Sequence, residues 1–218
     1  MDDPGLDPRV YQQVLTDLSR VNRWTLAARP TLDFLSRAVG AKRHFRLLDV
    51  GSGQGDMLRI IARWAKRRGI AAQLVGIDLN PKSAANASAA TPATLAIDFC
   101  TGDYRDVTGP LDIIVSSLVA HHMDDVSLQA FIRYMEAHAV HGWLINDLHR
   151  HRFSHLFYPL LARLLRVHAI VREDGTLSIA RAFRAADWRS ILAEAEVPPD
   201  AARIVRRFPF RLCVERLR

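Results

Sequence analysis

Residues 47 to 55, Leu-Leu-Asp-Val-Gly-Ser-Gly-Gln-Gly, constrain this chain more than any other stretch. Apolar Leu47, Leu48 and Val50 read as a buried strand, and Gly51, Gly53 and Gly55 as a turn that permits φ > 0 and close approach of a ligand to the backbone. A helix is expected at once, from about Asp56 to Arg68. Strand, glycine turn and helix in that order surround a ligand with backbone N–H groups and the positive end of a helix.

Two acids narrow the choice of ligand. The dinucleotide pattern G-x-G-x-x-G/A needs a small sixth residue for helix–strand packing, and the sixth position from Gly51 is Asp56. Asp49, two residues before the first glycine, would repel a pyrophosphate but attract an ammonium. S-adenosylmethionine carries an ammonium, a carboxylate and a sulfonium, so an acid plus a helix N-terminus matches its methionine end. The pattern Asp49-x-Gly51-x-Gly53-x-Gly55 resembles motif I of the class I S-adenosylmethionine-dependent methyltransferases, and the order of elements is similar over roughly Arg46 to Arg218. The resemblance implies an α/β fold, a Rossmann-like, mostly parallel seven-stranded sheet with a terminal antiparallel hairpin and a helical cap, forming one domain over residues 1–218.

Residues 74 to 79 read as a second buried strand ending in Asp78, 23 residues beyond Gly55. An acid there can accept hydrogen bonds from both ribose hydroxyls, in nicotinamide and S-adenosylmethionine enzymes alike. Its structural alternative is an N-cap for a helix beginning near Pro81. Residues 94 to 99 form a weaker strand. The resemblance puts Asp103 where an acid accepts the adenine amino group, with Tyr104 flanking the ring; a polar turn without ligand is the alternative. It also implies that Ser52, Leu79 and Ser116 border the cofactor.

Residues 111 to 117 read as a central parallel strand, apolar on both faces, whose carboxyl end borders the ligand crevice. Ser116-Ser117-Leu118-Val119 follows the pattern neither of the amino-methylating nucleic-acid enzymes nor of the metal-dependent catechol type, which has an acid at this strand end. The next run, Ala120-His121-His122-Met123-Asp124-Asp125, is similar to that of ubiquinone-biosynthesis-type and natural-product small-molecule methyltransferases. In some of the latter a histidine here is the general base, a task suited to a pKa near 6.5. His121 is the first candidate and His122 and His149 the reserves; capping of the next helix is the alternative. Asp147 ends the fifth strand, residues 142 to 146, and stands 26 residues after His121, so neighbouring strand ends can bring the two together. His138, His141, His149, His151 and His155 match no zinc spacing, and no metal is expected.

Residues 6–39 read as a helical cap with a break near Pro30, Val10, Val14, Leu18 and Val21 sharing a face and Trp24 either lining a pocket or packing. An inserted helical segment is expected over 150–172, where apolar positions 153, 156, 157, 160, 161, 164 and 165 make a broad stripe interrupted by Pro159. That stripe covers the core, walls an apolar pocket with Phe153, Phe157 and Tyr158, or touches a membrane surface peripherally. Residues 176 to 183 read as extended, 185 to 196 as helix, and 201–208 with 211–217 as a hairpin about Pro209.

The net charge of +7 is confined to residues 149–218, which hold 14 basic and 7 acidic groups. Without a basic run interleaved with aromatics, this favours a solvated basic surface or attraction to an anionic substrate or membrane face over nucleic acid. No apolar run reaches the length of a membrane span and the first residues are polar, so a cytoplasmic location is expected. Two cysteines, Cys100 and Cys213, read as reduced core thiols. Together these features point to S-adenosylmethionine-dependent methylation of a hydroxyl on an apolar aromatic or polyketide-like small molecule. C-methylation of a quinone or phenol ring, a catalytically silent S-adenosylmethionine-binding module and a nicotinamide oxidoreductase are the alternatives.

Overall fold

The computed structural model describes residues 8–218; residues 6 and 7 of the expected cap, like the polar residues 1–5, lie outside them. Seven strands form one sheet: β1 (His44–Val50), β2 (Ala71–Asp78), β3 (Ile97–Thr101), β4 (Leu111–Ser117), β5 (Ala139–Leu148), β6 (Arg203–Arg207) and β7 (Arg211–Leu217). Their order is β3-β2-β1-β4-β5-β7-β6. β1 to β5 pair in parallel, and β7 enters antiparallel between β5 and β6. The chain reverses direction across the sheet between β1 and β4, which opens a crevice at their carboxyl ends.

Among the described residues eight α-helices accompany the sheet: α1 (Pro8–Trp24), α2 (Arg29–Val39), α3 (Asp56–Arg67), α4 (Pro81–Ala89), α5 (Asp125–His138), α6 (Arg152–Leu164), α7 (Ala169–Arg181) and α8 (Ala185–Glu194). Successive residues of β1 point to opposite faces. Leu47 joins Phe34 and Leu35 of α2 and Leu58, Ile61 and Trp64 of α3, whereas Leu48 joins Phe131 and Met135 of α5 and Trp188 of α8. Each large side chain buried in this way contributes about 1.5–3 kcal/mol. A third cluster unites Val14 and Val21 of α1, Tyr158 and Ala162 of α6, and Val171 and Ile179 of α7. It lies over the crevice and forms its lid.

Three expectations about local structure are corrected. Residues 176 to 181 are not extended but complete α7, so the inserted helices run to Arg181 instead of 172. The Thr-Leu-Ser-Ile alternation imitates a strand, but Val171, Ser178 and Ile179 share a buried helical face, and the Thr176 hydroxyl is satisfied within the helix by the Arg172 carbonyl at 2.7 Å. Gly175 permits the packing, because a Cβ there would fall 2.1 Å from the Tyr158 hydroxyl. The extended part is confined to Ala182 and Phe183, the latter in a bridge to His149. The third strand begins at Ile97 rather than residue 94. Pro159 does not interrupt α6, which continues through it.

Candidate active site

β1 delivers the chain into the glycine turn at the crevice. The Gly51 and Ser52 N–H groups donate to the Ile77 carbonyl at 2.8 and 3.1 Å, which ties the turn to β2. The Gly53 N–H donates to Asp78 Oδ2 at 2.8 Å, and the Asn80 N–H to Oδ1 at 2.9 Å. Asp78 therefore braces the turn from the end of β2. It is not the N-cap of α4; that is Asn80, which accepts from the Lys82 N–H. Gly53 has φ +52°, and a Cβ on it would meet nothing within 4 Å, so the turn is open at its tip.

A cavity of about 710 Å³ adjoins this turn, walled by the turn, the start of α3, Ser117 and Leu118 after β4, and α1 and α2 above. The Ser19 hydroxyl of α1 donates to Asp56 at the first position of α3, so the lid is fastened to the helix end it covers. Asp49 lines this cavity. It is 2 % exposed, its Oδ1 has no hydrogen-bond partner, and burial, then the neighbouring Asp78 carboxylate, push its pKa up to about 8. A buried carboxyl with a free oxygen is costly until a donor, best a cation, reaches it.

The residues expected around the adenosine are distributed differently. Asp78, Leu79, Asp103, Tyr104 and Ser116 do not line the cavity. Asp103 pairs with the Arg105 guanidinium through both oxygens, at 2.9 and 2.7 Å, and that bond lowers its pKa. Tyr104 packs its ring on Phe131 and Tyr134, with centroids 5.0 and 4.8 Å away. The Ser116 hydroxyl is turned inward to the Val50 carbonyl at 3.0 Å, leaving Ser117 at the cavity wall. Leu79 is 76 % exposed. Trp24, at 63 % exposure, is not packed in the core and is not on the wall of this cavity.

His121 and Asp147 meet. His121 Nδ1 lies 2.7 Å from Asp147 Oδ1, and the His121 backbone N–H donates to Oδ2 at 2.9 Å. Asp147 Oδ1 also accepts the Leu148 N–H at 2.7 Å, so both oxygens are occupied and the carboxylate cannot swing. With Nδ1 donating to the carboxylate, Nε2 is left as the ring's acceptor. His121 lines a second cavity of about 160 Å³, with Leu18, Asn22 and Leu118 forming a wall shared with the first. Leu118 holds φ +63°, a conformation rare for a leucine, at this boundary. His122 also lines the second cavity, 4.2 Å from His121 between ring centroids. His149 is elsewhere, against His151.

Tyr158 lines the second cavity as expected, but Phe153 and Phe157 do not; they stack on each other at the surface. Asn22, Leu118, Gly175 and Arg211 also stand on these walls, and none was among the residues expected there. Arg211 opens β7, just ahead of its apolar run Leu212-Cys213-Val214. Among the described residues no group of acids, histidines and cysteines is placed to hold a metal ion, and no helix is long and apolar enough to cross a membrane.

Residues 47–142 match the family model described as a methyltransferase domain. Trans-aconitate 2-methyltransferase of Mycobacterium tuberculosis is 31% identical over 118 residues, which is 53% of this chain and 41% of that protein. The match thus spans less than half the length of this curated relative. Among solved structures, the plantazolicin methyltransferase BpumL in complex with SAH is similar over 97% of this chain and 91% of that one, with TM-score 0.69 and 15% identity. Magnesium protoporphyrin IX methyltransferase from Synechocystis PCC 6803 with bound SAH is similar over 98% and 89%, with TM-score 0.60 and 18% identity. At such identities the likeness is one of fold.

Proposed function

We propose that the chain, whose residues 47–142 match a methyltransferase domain, is a class I S-adenosylmethionine-dependent methyltransferase and that it methylates a hydroxyl on an apolar aromatic or polyketide-like small molecule. The observation that supports this most is the pair of adjoining cavities. One holds the free oxygen of Asp49 beside the open tip of the glycine turn, and the other holds His121 on Asp147.

The residues present fit S-adenosylmethionine. Asp49 would receive its ammonium, and Arg23, Arg29 and Arg63 on the same wall supply positive charge for its carboxylate. When bound, the cofactor supplies a methyl group on a sulfonium sulfur. The shared wall of Leu18, Asn22 and Leu118 would then hold the acceptor in line with that methyl, which is where most of the acceleration of a displacement arises. His121 Nε2 takes the hydroxyl proton as the C–O bond forms, and Asp147 fixes the ring and stabilises the imidazolium.

The apolar character of the acceptor is supported by the second cavity's lining of Leu18, Val21, Leu148, Val171, Ile179 and Phe210. Peripheral membrane contact belongs to the same proposal, supported by Phe153, Leu156, Phe157, Leu160 and Leu164 exposed along α6 beside Arg152 and Arg163. A cytoplasmic location and a role in secondary metabolism complete it. Calorimetry tests the core of the proposal: S-adenosylhomocysteine should bind, NAD should bind far more weakly, and tight NAD binding without a response to S-adenosylhomocysteine would overturn it.

A further inference from the structure

The two cavities carry orphaned groups of opposite kind. In the cofactor cavity it is the Asp49 carboxyl, and in the acceptor cavity it is Arg211, the first residue of β7. Arg211 is 3 % exposed. Its Nε and Nη1 have no hydrogen-bond partner, and Nη2 reaches only Asn22 Oδ1, at 3.4 Å. Arginine does not shed its charge in a protein, and an apolar interior tolerates a cation only when it is paired. Asp147 is close enough to favour the charge, but its oxygens are taken by His121 and the Leu148 N–H. Among the described residues no carboxylate lies within 4 Å of the guanidinium.

Resting on the methyl-transfer reading, we propose that the acceptor is a single-ring hydroxy acid whose carboxylate is bound by Arg211 while its hydroxyl faces His121. Arginine's planar array of donors matches a carboxylate; Nε and Nη1 lack partners and are covered in the free protein, so the guanidinium turns toward the cavity to receive one. Beside its apolar side chains the wall carries Asn22, Thr25, Ser178, the two histidines and the acid Asp174, and Arg211 is the one arginine or lysine among the described residues lining it, so a carboxylate has one permanent cation to sit on and the ring fills the apolar remainder. Size agrees: the cavity holds about 160 Å³, and a cavity of about 150 Å³ accommodates a benzene ring. The basic excess of residues 149–218 favours the approach of an anionic acceptor.

The test uses the full chain saturated with S-adenosylhomocysteine and titrates the hydroxybenzoates, with the hydroxyl ortho, meta or para, against the matching neutral hydroxybenzamides. At least one acid should bind tenfold or more tightly than its amide. Arg211→Gln should abolish that preference and Arg211→Lys restore part of it, with S-adenosylhomocysteine affinity unchanged in both. Equal binding of every pair, binding of none, or a preference that persists in R211Q would overturn the assignment. So would an equal loss of methyl transfer to acid and amide in R211Q, because Arg211 would then act on the reacting oxygen. If R211Q does not fold, the wild-type pairs decide alone. Failure of S-adenosylhomocysteine itself to bind would instead bring down the methyltransferase proposal beneath it.

Discussion

His121 is held by Asp147 at two points, through the ring Nδ1 at 2.7 Å and through the backbone N–H at 2.9 Å, one to each carboxylate oxygen. The second bond fixes more than a tautomer. It locks the backbone of the turn after β4 to the end of β5, so ring and main chain are positioned by a single buried group. A histidine that merely capped the next helix would not need this. That cap is Asp124, which accepts from the Ser127 N–H.

The first prediction concerns this pair. His121→Ala should lower kcat by about 10²–10⁴-fold, the usual loss for a general base, with S-adenosylhomocysteine affinity near wild type. Asp147→Asn should also lower kcat, and the double variant should be little worse than the worse single because the two act as a unit. Steady-state kinetics beside calorimetry would measure this. A small loss in His121→Ala would favour C-methylation of an already ionised phenol, or catalysis by positioning alone.

Asp49 makes cofactor binding depend on pH. Its pKa is about 8 in the free protein, so at pH 6 to 7 it is mostly protonated, and a bound ammonium must lower that value. Binding therefore releases a proton, and affinity for S-adenosylhomocysteine should rise as pH goes from 6 to 8. Calorimetry in buffers of different ionisation enthalpy should detect the release, and Asp49→Asn should abolish it.

The same shift affects stability. A carboxyl with its pKa raised on folding contributes stability that is fully present below the unfolded value of 3.8 and lost as pH rises through about 8. Asp49→Asn should hence be more stable than wild type at pH 8, by a few kcal/mol at most and with a correspondingly higher Tm, the difference vanishing near pH 4. Thermal unfolding of both proteins at the two pH values would show it.

The succession of strands along the chain and the glycine turn were legible in the sequence because central parallel strands are apolar on both faces and end in punctuating residues, as at Val50-Gly51 and Asp78, while the mostly parallel seven-stranded sheet came from the family resemblance. The meeting of His121 with Asp147 was legible too, because carboxyl ends of neighbouring strands converge. α7 was not. Its apolar residues are few, and its helical form depends on Tyr158 closing against Gly175, a contact between helices that no local pattern encodes. Tyr104 and Asp103 followed local partners, Phe131 and Arg105, that a reading by strand position does not see.

A further prediction is metal independence, motivated by Ser116 and Ser117 standing at the end of β4, where the catechol-type resemblance would require an acid. Dialysis against a chelator should leave methyl transfer intact. Loss of activity restored by magnesium would overturn the base mechanism at His121.

Asp78 joins turn and cofactor, and its replacement should separate two effects. In the free protein it accepts the Gly53 N–H at 2.8 Å and the Asn80 N–H at 2.9 Å, so Asp78→Ala leaves two backbone donors without a partner. That should cost about 1–3 kcal/mol of stability, less any part recovered by water reaching the donors. If the acid also binds ribose hydroxyls, affinity for S-adenosylhomocysteine should fall by a further 1–3 kcal/mol or so, and Asp78→Asn, which keeps one acceptor oxygen, should recover more stability than affinity. Calorimetry with adenosine and with methionine as separate probes then locates the loss. A defect confined to adenosine places Asp78 on the ribose. A defect shared equally by both probes would mean that Asp78 acts only by holding the Gly53 turn in shape.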